Sequence, residues 1–246
     1  MYLLLSGEGP SDMGVCNPAS TSCTGNAFVA GPMAVMVDQL VESLQDYEMS
    51  HIETERVEYL SEKYLSDNKA APQRRGMSLR GKKKPVETKY YFENARALAI
   101  AAKAKSEEVE DTVIAVLFRD SDGTASASRG NWQNKRNSMI AGFEAEDFNF
   151  GVAMVPKPKS EAWLLCGLKP NPYQHCEQLE SETGNDHAAN SLKQQLDTQL
   201  KGNTSARNLT ALVSQRTVDV MRLDMPSFSA FKVDLERAFN LYMERL

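Results

Sequence analysis

Apolar runs alternate with amphipathic stretches along the chain, and this order predicts strands that alternate with helices. Some apolar runs are short and continuous, as in strands buried on both faces of a sheet. Elsewhere apolar residues recur every three or four positions, the period of a helix with one buried face. We therefore expect an α/β fold, with a mostly parallel sheet and helices on both faces. The strands are expected at 2–6, 51–59, 113–120 and 150–155, and the helices at 33–44, 88–105 and 132–146.

No strand pattern follows residue 167. Leucines and aromatic residues at helical spacing predict three further helices near 192–200, 209–213 and 228–242. The expected organisation is an α/β domain at 1–166, with a basic loop inserted at about 60–87, and a helical C-terminal extension at 167–246.

Composition excludes a polycationic protein. The 246-residue chain carries a net charge of −5, so any attraction to nucleic acid must come from a local basic patch. The loop at about 60–87 supplies such a patch, interrupted by glycine and proline. A phosphate backbone is one partner for it, and a solvated loop is the alternative. Six cations lie close together in this loop, namely Arg74, Arg75, Arg80, Lys82, Lys83 and Lys84.

The N-terminal apolar run is too short for a signal peptide and has no basic residues before it. No other run approaches the length that crosses a membrane. We therefore expect a cytoplasmic protein without a membrane segment. In a reducing cytosol free thiols are the default for Cys16, Cys23, Cys166 and Cys176, which form no C-x-x-C motif.

Two carboxylates follow the central apolar run. Asp120 and Asp122 are two positions apart, so in an extended chain both side chains point to the same side. One hard cation can then contact both acids at the carboxyl end of the strand. A simple turn is the alternative, because Asp-x-Asp-Gly is also good turn chemistry.

Two further acids follow other predicted strands. Glu8 comes after the first strand and Glu161 after the last. Parallel strands end at one edge of the sheet, so these acids are expected to form a carboxylate cluster that requires a cation. Oxygen ligands alone favour Mg²⁺ or Mn²⁺. Glu161 also suits the dipole of the helix that Ser160 is expected to cap, and Asp12 is interpreted as a turn or capping residue.

The combination of Glu8-Gly9 after one strand and Asp120-Ser121-Asp122 after a later one resembles the Toprim domain, the metal-binding module of topoisomerases, primases and related nucleases. Residues 157–165 and 225–231 resemble an uncharacterised bacterial family with a Toprim-like core. The resemblance implies a Rossmann-like fold in which Asp120 and Asp122 hold magnesium. It also implies that Glu8 acts as a general acid or base, or as a ligand.

This resemblance implies an Mg²⁺-dependent nuclease that hydrolyses DNA or RNA with water as the nucleophile. A second ion would be held by Glu8 and Glu161, and Lys157 or Lys159 would neutralise charge on the phosphate. By analogy with stand-alone nucleases of this kind, the chain is expected to be the effector of a phage-defence or toxin system, with an ATPase as its partner.

Two alternatives stay open. Residues 120–124 also match the nucleophile loop of haloacid-dehalogenase-like phosphatases, in which Asp120 would attack the phosphate. That alternative gives Glu8 no role. The second alternative is a non-catalytic module that binds nucleic acid or a partner protein.

Overall fold

A five-stranded sheet forms the centre of the molecule in the computed structural model, which describes residues 1–9, 11–45, 47–71, 86–121 and 131–246. Its strand order is β3-β5-β1-β6-β7, in which the last four are parallel and β3 is an antiparallel edge. The prediction of a mostly parallel α/β sheet is confirmed. The strands are β1 Tyr2–Gly7, β3 Ser22–Thr24, β5 Val57–Ser61, β6 Val113–Phe118 and β7 Gly151–Met154, and β2 Gly14–Cys16 pairs with β4 Phe28–Ala30 in a separate ribbon.

Helices flank this sheet. The chain moves from β1 to β5 in one direction and then from β5 through β6 to β7 in the other. Right-handed crossovers therefore place the helix after β1 on one face and the helices after β5 and β6 on the opposite face. The helices are α1 Pro32–Leu44, α2 Glu62–Asp67, α3 Val86–Val109, α4 Trp132–Glu144, α5 Ser160–Leu168, α6 Leu192–Gln199, α7 Ala206–Ser214 and α8 Pro226–Met243.

Strand β1 lies between β5 and β6, and this register fixes one end of the molecule. Gly7 is paired with Ser61 on one side and with Phe118 on the other, so three carboxyl ends are level. The direction of winding reverses between β1 and β6. In open α/β sheets, ligands bind in the crevice that such a reversal creates.

Helix α8 covers the free edge of β7. Arg237 donates to the carbonyls of Asn149 and Gly151 at 2.7 and 2.8 Å. Asp234 accepts a hydrogen bond from the backbone N–H of Ala153 and pairs through both oxygens with Arg136 at 2.8 Å. These side chains satisfy backbone groups that would otherwise be an open sheet edge.

The expectation of free thiols is wrong. Cys16 is bonded to Cys23, which ties β2 to the edge strand β3, and Cys166 is bonded to Cys176 after α5. Spacing alone did not reveal either pair, because the partners meet only once the strands and helices are in place. Disulfides are uncommon in a reducing cytosol.

The strand expected at 51–59 is displaced. Residues 51–55 form a turn, and the strand begins at Val57 because Asp38 in α1 binds the backbone N–H of His51 at 2.7 Å and of Ile52 at 3.4 Å. The short strands between residues 14 and 30 were also missed. None of the helices in the described ranges is long and apolar enough to cross a membrane.

His51 generates a prediction about acid stability. Its side chain is fully buried, and neither ring nitrogen has a hydrogen-bond partner among the described residues. Burial lowers the pKa of His51 from 6.5 to about 4. Between pH 6.5 and pH 4, His51 is protonated in the unfolded chain but stays neutral in the folded chain. The free energy of unfolding therefore falls as the pH is lowered through this range, by about 3 kcal/mol in all.

We expect His51→Leu to flatten the wild-type decline in unfolding free energy over this pH window. Urea unfolding at several pH values measures it, with His187→Gln as the surface-histidine control. Parallel curves for wild type and His51→Leu would contradict the assignment.

Candidate functional site

Polar residues follow the carboxyl ends of three parallel strands and meet at the reversal of winding. Glu8 directly follows β1, Arg119 and Asp120 follow β6, and Ser160 and Glu161 begin the helix after β7. The backbone N–H of Glu8 donates to the carbonyl of Phe118 at 3.3 Å, so the β1 and β6 ends remain in register beyond the strands. These residues form two neighbouring groups.

The first group, which we call the Arg119 cluster, consists of Glu8, Glu62, Tyr90 and Arg119. Arg119 Nε lies 3.1 Å from Glu8 Oε2, and its Nη1 contacts Glu62 Oε1. The guanidinium also lies over the ring of Tyr90, with Cζ 4.4 Å from the ring centroid, and Tyr90 donates its hydroxyl to Glu62 at 3.2 Å. One cation thus joins carboxylates from the ends of β1 and β5.

The second group, which we call the Ser160 cluster, consists of Asp12, Asp120, Ser160 and Glu161. The Ser160 backbone N–H donates to Asp120 Oδ1 at 2.9 Å, and the Ser160 hydroxyl donates to Asp12 Oδ1 at 2.6 Å. Ser160 is the first residue of α5, with Lys159 at the cap position, so it does not cap the helix as expected. Asp120, from a different strand, satisfies that free N–H instead.

Asp12 is held in place by its backbone. Its carbonyl accepts the N–H of Met33 in the first turn of α1 at 3.0 Å. Gly31 lies directly against this carbonyl: a Cβ there would be 2.2 Å from the Asp12 oxygen, so any larger residue would push the loop away. Burial raises the pKa of the Asp12 carboxyl above its usual range.

Glu161 brings a poorly compensated carboxylate to the Ser160 cluster. Its Oε2 is buried and has no hydrogen-bond partner in the described part of the chain. Burial raises the pKa of Glu161, and the negative charge of Asp12 raises it further. A hydrogen bond from the backbone N–H of Glu161 itself lowers this pKa, and so does the charge of Lys159, although Lys159 is paired with Asp186 at 2.9 Å. The group thus has more negative than positive charge to balance.

Two helices hold the segment that carries Asp120 in place. Tyr91 of α3 donates its hydroxyl to the carbonyl of Asp120 at 2.6 Å. Lys135 of α4, only 2% exposed, donates to the next carbonyl, that of Ser121. The N–H of Ser121 donates to the carbonyl of Pro156 at 3.2 Å, which ties this segment to the chain beyond β7.

Several predicted site residues are not in these groups. Asp122 lies outside the described residues, as do the six cations of the basic loop, Arg74, Arg75, Arg80, Lys82, Lys83 and Lys84. Lys157 is half-buried in the loop between β7 and α5, and it forms no ion pair with the described residues.

Sequence reasoning missed Glu62 at this edge, along with the roles of four other residues. Arg119 and Lys135 stand at positions typical of solvated cations, and only the structure shows that each is surrounded by backbone, aromatic rings or carboxylates. Asp12 was interpreted as a turn residue and Ser160 as a cap. The one available signal for Asp12 was its position four residues after Glu8, on the same loop.

The carboxylates are the right type of ligand for a hard divalent cation, but too few of the described ones lie close together. Acidic oxygens, including the buried Glu161 Oε2, are the donors that Mg²⁺ and Mn²⁺ prefer. Across the described ranges, however, no three acidic, histidine or cysteine side chains stand close enough to share one ion. Comparison with known proteins adds no homologue, because no family model, curated protein or solved structure matches this chain.

Lys135 generates a prediction about the placement of Asp120. If its ammonium holds the Ser121 carbonyl, Lys135→Met releases this segment, and the Ser160 N–H loses the partner that protects it. A hydrogen bond to a charged group contributes at least about 1.5 kcal/mol, so the Ser160 amide should exchange about tenfold faster. Hydrogen exchange of a peptide covering 156–164 measures this.

Lys193→Met, which changes an exposed lysine on α6, is the matched control and should leave the exchange unaltered. Asp120→Ala should reproduce the faster exchange. If Ser160 stays equally protected in Lys135→Met, the buried lysine does not position Asp120.

Proposed function

We propose that this chain is a divalent-metal-dependent nuclease that hydrolyses phosphodiester bonds at the carboxyl edge of its sheet. The observation that carries the proposal is the buried Oε2 of Glu161, which has no hydrogen-bond partner in the described structure and lies beside Asp12. A carboxylate in this situation is stabilised by a cation. The Toprim resemblance of Glu8, Asp120 and Asp122 supports the same chemistry.

Asp120 and Glu161 are the described residues that would hold the ion, since no three described acids stand close enough to share one. Asp122 follows Asp120 by two positions, and the sequence predicts it as a further ligand. A bound Mg²⁺ or Mn²⁺ would neutralise phosphate charge and lower the pKa of a bound water. The α5 N-terminus keeps Asp120 Oδ1 oriented through Ser160.

The roles of the basic residues follow from their positions. Arg119 is ion-paired with the Glu8 carboxylate at 3.1 Å, so Glu8 is available as a base or as a ligand only if this pair loosens. Lys157, at the mouth of the loop before α5, is the residue proposed to approach a phosphate oxygen. The negative charge of Glu161 disfavours a phosphate group at the metal site itself unless a cation is bound there.

The broader biological assignments are proposals from resemblance alone. They comprise DNA or RNA as substrate, a phage-defence or toxin role and an ATPase partner. A cytoplasmic location stays a prediction as well, and the two disulfides count against it.

The test is cleavage of end-labelled DNA and RNA by the purified full chain, in Mg²⁺, in Mn²⁺ and in EDTA. We expect cleavage only with metal, and a loss of about 100-fold in Asp120→Asn and in Glu161→Gln, because each removes one ligand charge. Asp67→Asn, an acid-to-amide change on the surface of α2, is the matched control and should retain full activity.

Metal-independent cleavage, or full activity in Asp120→Asn, would contradict the proposal. A phosphatase would instead hydrolyse a small phosphomonoester, accumulate an aspartyl-phosphate at Asp120 and tolerate Glu8→Gln. A non-catalytic module would bind the labelled strands without cutting them.

A further inference from the structure

A cavity of about 340 Å³ opens beside Glu8. Gly7 and Gly9, the two neighbours of Glu8 in the chain, form part of its lining, and so does Glu62 of the Arg119 cluster. The cavity is therefore continuous with the candidate site. It lies between the carboxyl ends of β1 and β5 and the chain that leads from β2 towards β3. We call it the Tyr59 cavity, after the largest side chain in its wall.

The walls of the Tyr59 cavity are mainly apolar and fixed. Val15 lines one side, with Ala19 at its exposed rim, together with Cys16, whose disulfide to Cys23 ties that side to the sheet. Tyr59 lines the other side, and its ring is stacked on a neighbouring aromatic ring with 5.4 Å between centroids. A rigid apolar cavity suits a flat, rigid group, because neither partner loses much conformational freedom on binding.

Hydrogen-bonding side chains make up the rest of the lining, and they include the ammonium of Lys63. Ser20 and Ser61 contribute hydroxyls, and Ser61 Oγ accepts the Tyr64 N–H at 3.2 Å, an arrangement that leaves its own proton to donate. Glu62 contributes a carboxylate that already binds Arg119. Apolar faces with polar groups at the edge match a nucleobase, which has two apolar faces and a hydrogen-bonding perimeter.

The charges at the rim argue against other occupants. A phosphate or another small anion would meet the Glu62 and Glu8 carboxylates, which both engage Arg119. Lys63 also lines the cavity, but its ammonium is paired with Asp67 at 2.7 Å. A bare cation would find few oxygen ligands between Val15, Ala19 and Tyr59. A neutral heterocycle avoids both penalties.

We propose that the Tyr59 cavity binds one unpaired base, and that the substrate of the adjacent site is therefore single-stranded nucleic acid. This inference rests on the proposed nuclease function, since it names the substrate class of that site. A base in a duplex is stacked and paired, so it reaches such a cavity only after extrusion, at a cost of a few kcal/mol. A base in a single strand enters without that cost.

The test is fluorescence anisotropy of one labelled oligonucleotide, single-stranded and annealed to its complement, with the full chain in EDTA and without reductant. EDTA prevents cleavage, and the absence of reductant preserves the Cys16–Cys23 disulfide that holds one side of the cavity. We expect the single strand to bind at least about tenfold more tightly than the duplex, as expected when one base buries its apolar surface.

Ala19→Leu fills the cavity from its exposed rim and should remove that preference. Ser20→Leu, another rim residue, is the second variant in case the first does not fold. Ala104→Leu places the same added side chain on an exposed position near the far end of α3 and should bind like wild type.

Equal binding of single strand and duplex, or an undiminished preference in both rim variants, would overturn the inference. The two proposals fail separately. If duplex and single strand are cut at the same rate in a metal-dependent reaction, the proposed nuclease function is supported and the proposed single-strand specificity is contradicted. If the rim variants weaken single-strand binding but the wild-type chain cuts nothing, the inference about the cavity is supported and the nuclease function is contradicted.

Discussion

The parallel pairing of β1 with both β5 and β6 is the constraint on which the rest of the structure depends. It sets Gly7 level with Ser61 and with Phe118, so the residues that follow these three strands must share one crevice. Glu8, Glu62 and Arg119 then pair across it without any further requirement on the loops. A shift of β1 by one residue would turn its side chains to the opposite faces and separate these charges.

The two clusters at this edge differ in how the charges of their carboxylates are compensated. In the Arg119 cluster, the protein supplies its own counter-charge, and the aromatic ring of Tyr90 shields it. In the Ser160 cluster, helix N–H and hydroxyl groups bind Asp120 and Asp12, but Glu161 Oε2 is left without a partner among the described residues. The two clusters are joined by the adjacent residues Arg119 and Asp120. The proposed cation site at the Ser160 cluster, rather than at Glu8, rests on this difference.

The central strands and most of the helices could be predicted from the sequence, because continuous apolar runs such as 113–118 and periodic ones such as 33–44 leave few alternatives. The position of Asp120 at a strand end followed from the same pattern. Its bond to the Ser160 N–H did not, because that contact depends on how β6 and β7 are aligned. Lys135 shows the same limit: a lysine on a polar helix predicts solvent exposure, and only packing against Tyr91 and the Ser121 carbonyl buries it. Neither disulfide was foreseen, for the same reason.

The most direct test of a metal site at this edge is anomalous diffraction from crystals of the full chain soaked in Mn²⁺. We predict an anomalous peak in direct contact with carboxylate oxygens of Asp120 and Glu161, and its loss in crystals of Glu161→Gln. Manganese bound only elsewhere, or an empty crevice at saturating Mn²⁺, would contradict it.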